Sequence, residues 1–177
     1  AMVFYAKCAE KGDEIPQNYD EAIQFYKMAI IKGSIDAANN YGLMLLHGKG
    51  VPVNKEMALD LFKSTASRGS VYGMFLCGFT LYKGDGTSDD KKEAARYFKM
   101  SADKGNFDGM FYYALMLFKG DDISADKKEA ARYFKMSADN GQINAMFNYA
   151  FMLENGEGIP TDKVKAADYY RLAADNG

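Results

Sequence analysis

The chain has 177 residues, 48% of them apolar and 26% charged, which is enough to bury a core and too apolar for a disordered tail. Its formal charge of −2 excludes a nucleic-acid binder that works through a basic groove. No apolar run approaches the roughly 18 residues that a membrane helix needs.

Cys8 and Cys77 stand far apart and read as reduced, buried thiols rather than a disulfide framework. The first ten residues read as part of a folded repeat, without the basic stretch and apolar run of a signal peptide. No Asn-x-Ser/Thr acceptor is present. A cytoplasmic setting is therefore expected.

Along the chain, residues 91–105, KKEAARYFKMSADKG, return as residues 127–141, KKEAARYFKMSADNG, at an offset of 36. Over the wider stretch 83–105 against 119–141, only Gly86/Asp122, Thr87/Ile123, Asp89/Ala125 and Lys104/Asn140 differ, as after a recent internal duplication. Sliding by 36 aligns five units: 1–36, 37–72, 73–108, 109–144 and 145–177. Fixed-period self-similarity of this kind marks a repeat architecture. Each unit predicts two helices, over residues 37–47 and 55–68 in the second.

Stop and start signals recur with the period. Gly12, Gly48, Gly84, Gly120 and Gly156 follow the first helices, and Gly33, Gly69, Gly105, Gly141 and Gly177 follow the second, where a left-handed residue commonly ends a helix. Asn18, Asn54, Asp90, Asp126 and Asp162 precede the second helices as N-caps. Glu21, Glu93 and Glu129, three residues on, predict reciprocal capping boxes.

Within the second helices, Ala22, Ala58, Ala94, Ala130 and Ala166 are each followed one turn later by Tyr26, Phe62, Phe98, Phe134 and Tyr170. In the first helices, Tyr41, Cys77, Tyr113 and Tyr149 precede Gly42, Gly78, Ala114 and Ala150, then Leu45, Leu81, Leu117 and Leu153. Each set shares one helix face, small beside large. A single helix pair cannot cover its own apolar face, so the pairs are expected to stack as an all-α solenoid of five 36-residue repeats.

These residues resemble the tetratricopeptide class of helical repeats and, more closely, the Sel-one-like repeat (SLR) family. The match rests on His47-Gly48-Lys49-Gly50-Val51 with Asn54, Lys55, Ala58, Phe62, Thr65-Ala66 and Gly69, and on Glu157-Gly158-Ile159 with Asp162, Ala166, Ala173-Ala174 and Gly177. The first and fourth units depart from it: Gly12-Asp13-Glu14 and Gly120-Asp121-Asp122 lack the second glycine, and a different turn is expected there. The cysteine pairs of a disulfide-bearing bacterial branch of the family are missing too. The resemblance implies a right-handed α-α superhelix and a non-catalytic adaptor role.

No catalytic, metal or cofactor constellation stands out. His47 is the one histidine and reads as a solvated helix-end residue; a metal site needs several ligands. Cys77 takes a tyrosine position and reads as core. Asp85, Asp89, Asp90 and Glu93 suggest a calcium loop, yet the central glycine it requires is Asp90 and its twelfth position is Arg96. Gly48-x-Gly50 has no strand before it and reads as a turn, not a phosphate loop.

Positions three, seven, ten and eleven of each first helix point away from the stacking face. In the resembled class these positions line the concave surface. Asn39 is one of them. As a partner-binding groove they give Leu43, Leu46, Phe75, Phe79, Tyr82, Lys83, Phe111, Leu115, Phe118, Lys119, Phe147 and Phe151. Aromatic anchors of this kind dominate interfaces, and the expected partner is a protein segment with apolar or aromatic anchors. The competing reading is that these rings fill contacts between neighbouring first helices. Lys91, Lys92, Arg96 and Lys99, repeated as Lys127, Lys128, Arg132 and Lys135, form a basic ridge with acids interleaved, which reads as a solvated helix face. The expected function is a protein–protein interaction scaffold; a homo-oligomerising structural module and an accessory domain of a larger enzyme are the alternatives.

Overall fold

Ten α-helices follow one another in sequential pairs among the described residues of the computed structural model, which are residues 1–84 and 88–177, without the side chains of 88 and 89. The pairs are α1 (Met2–Lys11) with α2 (Tyr19–Ile31), α3 (Ile35–His47) with α4 (Lys55–Ser67), α5 (Val71–Lys83) with α6 (Ser88–Asp103), α7 (Phe107–Lys119) with α8 (Lys127–Ala138), and α9 (Ile143–Asn155) with α10 (Lys163–Asn176). The chain forms two compact units, Ala1–Thr80 and Leu81–Gly177, with the boundary inside α5. In the first, α1 packs on α2, α2 on α3 and α3 on α4; in the second, α6 packs on α7, α7 on α8, α8 on α9 and α9 on α10.

Four second helices start where the sequence places them. The side chains of Asn18, Asn54, Asp126 and Asp162 accept the backbone N–H of Glu21, Met57, Glu129 and Lys165 at 2.9–3.1 Å. α6 differs: it begins at Ser88, so Asp90 lies inside its first turn and does not precede it.

The reciprocal half of the capping box is not made at Asn18 or Asp126. Those backbone N–H groups donate instead to carbonyls of the first helix: Asn18 to Ala9 at 2.8 Å and Asp126 to Leu117 at 3.0 Å, joined by Asn54 to Leu45 at 2.9 Å and Asp162 to Leu153 at 2.8 Å. Glu21 accepts the Tyr5 hydroxyl and Glu129 pairs with Arg132. An N–H already spent on a helix-end carbonyl has nothing left to offer the glutamate.

First helices start two residues earlier than the apolar pattern suggests, at Ile35 where residue 37 was expected. Their caps follow the glycines directly: Ser34, Ser70, Asn106 and Gln142 accept from Ala37, Gly73, Gly109 and Ala145 at 2.6–3.2 Å.

The four loops between paired helices that are described in full keep one geometry. Gly12, Gly48, Gly120 and Gly156 end their helices in the left-handed region. Two residues on, Gly50 and Gly158 also have positive φ, and so do Glu14 (φ 66°) and Asp122 (φ 59°). The first and fourth loops therefore take the same turn without the second glycine. At Gly50 the glycine serves packing as well, since a Cβ there would fall 2.3 Å from Tyr19 Cβ. At Asp122 the side chain turns to Lys91, whose Nζ lies 2.8 Å from Asp121 and 3.1 Å from Asp122.

The core repeats with the same period. Tyr26, Phe62, Phe98 and Phe134 are fully buried, as are Ala22, Ala58, Ala94 and Ala130 beside them. Each such ring contributes about 1.5–3 kcal/mol through burial. Cys77 is fully buried and Cys8 half-buried, both free thiols. Gly42 faces Phe62 so closely that a Cβ would lie 2.5 Å from the ring.

Gly42→Ala is expected to lower stability by about 1–2 kcal/mol in urea melts, because overpacking of about 1–3 kcal/mol outweighs a helix-propensity gain of about 1 kcal/mol. Phe62→Leu should then cost less in that background than alone; strictly additive costs would refute the contact. Glu14→Gly should raise stability by about 0.5–1 kcal/mol by relieving left-handed strain, read from the same melts.

Candidate functional site

The predicted groove positions differ widely in exposure. In the first unit, Leu43 and Leu46 on α3 and Phe75 and Phe79 on α5 are half-buried. The Phe75 and Phe79 rings lie 5.8 Å apart, and Phe75 stacks on Tyr72 at 6.2 Å. Asn39, taken above as facing outward, is 3% exposed. Its Oδ1 accepts the Thr65 hydroxyl at 2.7 Å and its Nδ2 donates to Ser70 Oγ at 3.3 Å, so this amide is inside because partners on and after α4 satisfy it.

In the second unit, Lys83 and Lys119 are exposed, and Tyr82, Leu115 and Phe118 half-buried. Tyr82 makes edge contacts to Phe98 at 6.0 Å and Tyr112 at 5.9 Å. Phe111 is a correction. It is 8% exposed, sits against Phe134 at 5.9 Å, and belongs to the core cluster with Met146 and Tyr149 of α9, so it offers no open face to a partner.

Phe147, in the same register one repeat on, rests on Tyr170 at 5.3 Å and is 55% exposed. Phe151 is 39% exposed and meets Phe118 edge-on at 6.3 Å. The structure thus joins Phe118 of α7 to Phe151 of α9, part packing and part open surface. His47 is an exposed last-turn residue of α3. Asp85 of the acidic loop lies outside the described residues, and so does the side chain of Asp89. Among the described residues, no three histidine, cysteine, aspartate or glutamate side chains gather as metal ligands.

Tyrosine hydroxyls tie the helices together. In the second unit Tyr133 Oη donates to Asp103 at 3.0 Å and Tyr169 Oη to Asp139 at 2.6 Å, each link joining one repeat to the next. In the first, Tyr26 Oη donates to Glu10 at 2.9 Å. Burial first, and then the hydrogen bond to a carboxylate, raises the pKa of Tyr26, Tyr133 and Tyr169 above the ordinary phenolic value. Burial likewise raises Tyr112, Tyr113 and Tyr149. The Lys99 ammonium in turn holds Asp103 below the usual carboxylate range. These links were missed in the sequence; the signal available was the 30-residue separation shared by both tyrosine–aspartate pairs.

A folded-state pKa above the unfolded value contributes stability below the unfolded pKa and loses it as pH rises through the folded one. Helicity should therefore persist to about pH 10 and be lost above it, with ionisation of Tyr26, Tyr133 and Tyr169, followed ring by ring by NMR, appearing together with the loss of helix. Ionisation of these three rings while the helices stay intact would contradict the links.

The Sel1 repeat family profile matches residues 1–34, 35–70, 71–106, 107–142 and 143–177. No curated protein matches significantly. Among solved structures, the chain is similar to c5321, a protective antigen of uropathogenic Escherichia coli displaying an SLR fold, with 26% identity and TM-score 0.91. That match covers 99% of this chain and 38% of that one, so the chain spans well under half of that relative. A Sel1 repeat protein from Oxalobacter formigenes is 26% identical with TM-score 0.87, covering 99% and 72%. One from Klebsiella pneumoniae, at 18% identity and TM-score 0.61 with 99% and 86% covered, shares the fold. Repeats of this class generally bind proteins and are generally non-catalytic. With five consecutive matches running from its first residue to its last, the chain belongs to the Sel1 repeat family.

Proposed function

We propose that this chain is a non-catalytic scaffold that holds a segment of a partner protein against the surface of its first helices. The observation that carries this reading is the open pair Phe147 and Phe151, beside half-buried Leu115 and Phe118 and exposed Lys119. Large aromatics left this accessible supply the anchors that dominate interface energetics, and the lysine at the rim sets polarity without closing the surface. In the first unit, taken by itself, half-buried Leu43, Leu46, Phe75 and Phe79 offer a shallower surface of the same chemistry. The partner is a protein segment with apolar or aromatic anchors, with no role for nucleic acid, and the setting is cytoplasmic. No helix among the described residues is long and apolar enough to cross a membrane.

Peptides selected by display against the chain should be rich in aromatic or aliphatic residues. Phe147→Ala combined with Phe151→Ala should weaken a selected peptide about tenfold or more in calorimetry, equivalent to at least ~1.4 kcal/mol, while leaving the helical melt nearly unchanged. Undiminished affinity in that variant would remove the first-helix surface as the site.

A further inference from the structure

Two clefts in the second unit, each between a second helix, a neighbouring first helix and the loop after it, repeat one another in six lining residues. One, of about 520 Å³, has Ala131 and Ile159 as floor, Tyr149 as wall, and Lys128, Arg132 and Lys135 as rim. The other, of about 420 Å³, has Ala95 and Ile123 as floor, Tyr113 as wall, and Lys92, Arg96 and Lys99 as rim. Every one of these residues lies 36 positions from its counterpart.

The basic rim is confined to these two repeats. The equivalent triplets elsewhere are Asp20, Gln24, Lys27; Glu56, Asp60, Lys63; and Val164, Asp168, Arg171, none of them net positive. A chain of net charge −2 thus concentrates six cations around two apolar hollows. Asp126 and Glu129 also line the first cleft, while the lining of the second holds no carboxylate.

Several cations already have partners on their own helix: Arg96 with Glu93 at 3.7 Å, Lys99 with Asp103 at 2.7 Å, Arg132 with Glu129 at 2.6 Å and Lys135 with Asp139 at 2.5 Å. Exposed pairs one helical turn apart contribute little and exchange readily for another carboxylate. Lys128 has no ion-pair partner among the described residues.

We propose that the two clefts act together as a docking site for an acidic peptide segment, each cleft seating one apolar side chain while the rims engage the flanking carboxylates. Hydrophobic floors select an apolar anchor, and the cationic rims select its neighbours. Duplication of the cleft raises affinity by making the second contact intramolecular. Helices packed about 8–10 Å apart put equivalent points one repeat apart at roughly 10–20 Å, which about three to six extended residues span. The clefts share no lining residue with the first-helix surface proposed above, and the site stands or falls without it.

The test uses a glutamate-rich synthetic peptide carrying two leucines about four residues apart, and an isomer of equal composition with the leucines adjacent. The spaced peptide should bind about tenfold or more tighter than its isomer and weaken as salt rises. Lys92→Glu with Lys128→Glu should lose about tenfold or more, whereas Phe147→Ala with Phe151→Ala should keep the affinity. Amide shifts on the unmutated chain should cluster at Ala95, Ile123, Ala131 and Ile159. Equal binding of both isomers, no binding, indifference to the charge reversal, or shifts centred on Phe147 and Phe151 would each overturn the proposal.

Discussion

A backbone hydrogen bond between the two helices of a pair sets the frame in which everything else sits. Where the N-cap N–H of the second helix reaches a carbonyl nine residues back in the first, as at Asn18, Asn54, Asp126 and Asp162, the connecting loop has one permitted length and one permitted path. That path requires a left-handed residue at two fixed points, and the chain supplies them even with Glu14 and Asp122, where the side chain opposes the conformation. Once the loop is fixed, the small-beside-large faces of the two helices meet in register. Phe62 lies against Gly42, and Tyr26, Phe98 and Phe134 at that position are buried as fully, while Tyr170 of the last repeat is half-buried.

The fold was legible because its signals repeat. A single helix-ending glycine or Ala-x-x-x-aromatic spacing carries little weight, yet five of each in phase mark a repeat architecture. What escaped the sequence was the destination of particular hydrogen bonds. Glu21 and Glu129 stand where capping boxes place a glutamate, but the donor they need is already committed to the opposite helix. Ser34, Ser70, Asn106 and Gln142 were overlooked as caps because the apolar pattern begins only after them.

The candidate site was less legible, for a geometric reason. A helical wheel distinguishes the face toward the paired helix from the face away from it, and cannot tell solvent from a neighbour contributed 36 residues later. Phe111 and Phe147 hold the same wheel position, yet one is core and the other open. Asn39 occupies that position too, and is buried because Thr65 and Ser70 give its amide partners that no periodic pattern displays. Exposure at these positions is decided by the neighbouring repeat, so a list drawn from one helix at a time mixes core with surface.

The interhelical clasp is made entirely of main-chain atoms, and this has an evolutionary corollary. A fastening that constrains only the two left-handed loop positions leaves the outer residues of a unit free to mutate while the unit still closes. A segment such as residues 119–141, nearly identical to 83–105, carries the loop and the second helix with its clasp donor as one piece, so a copy closes wherever a first helix ends before it.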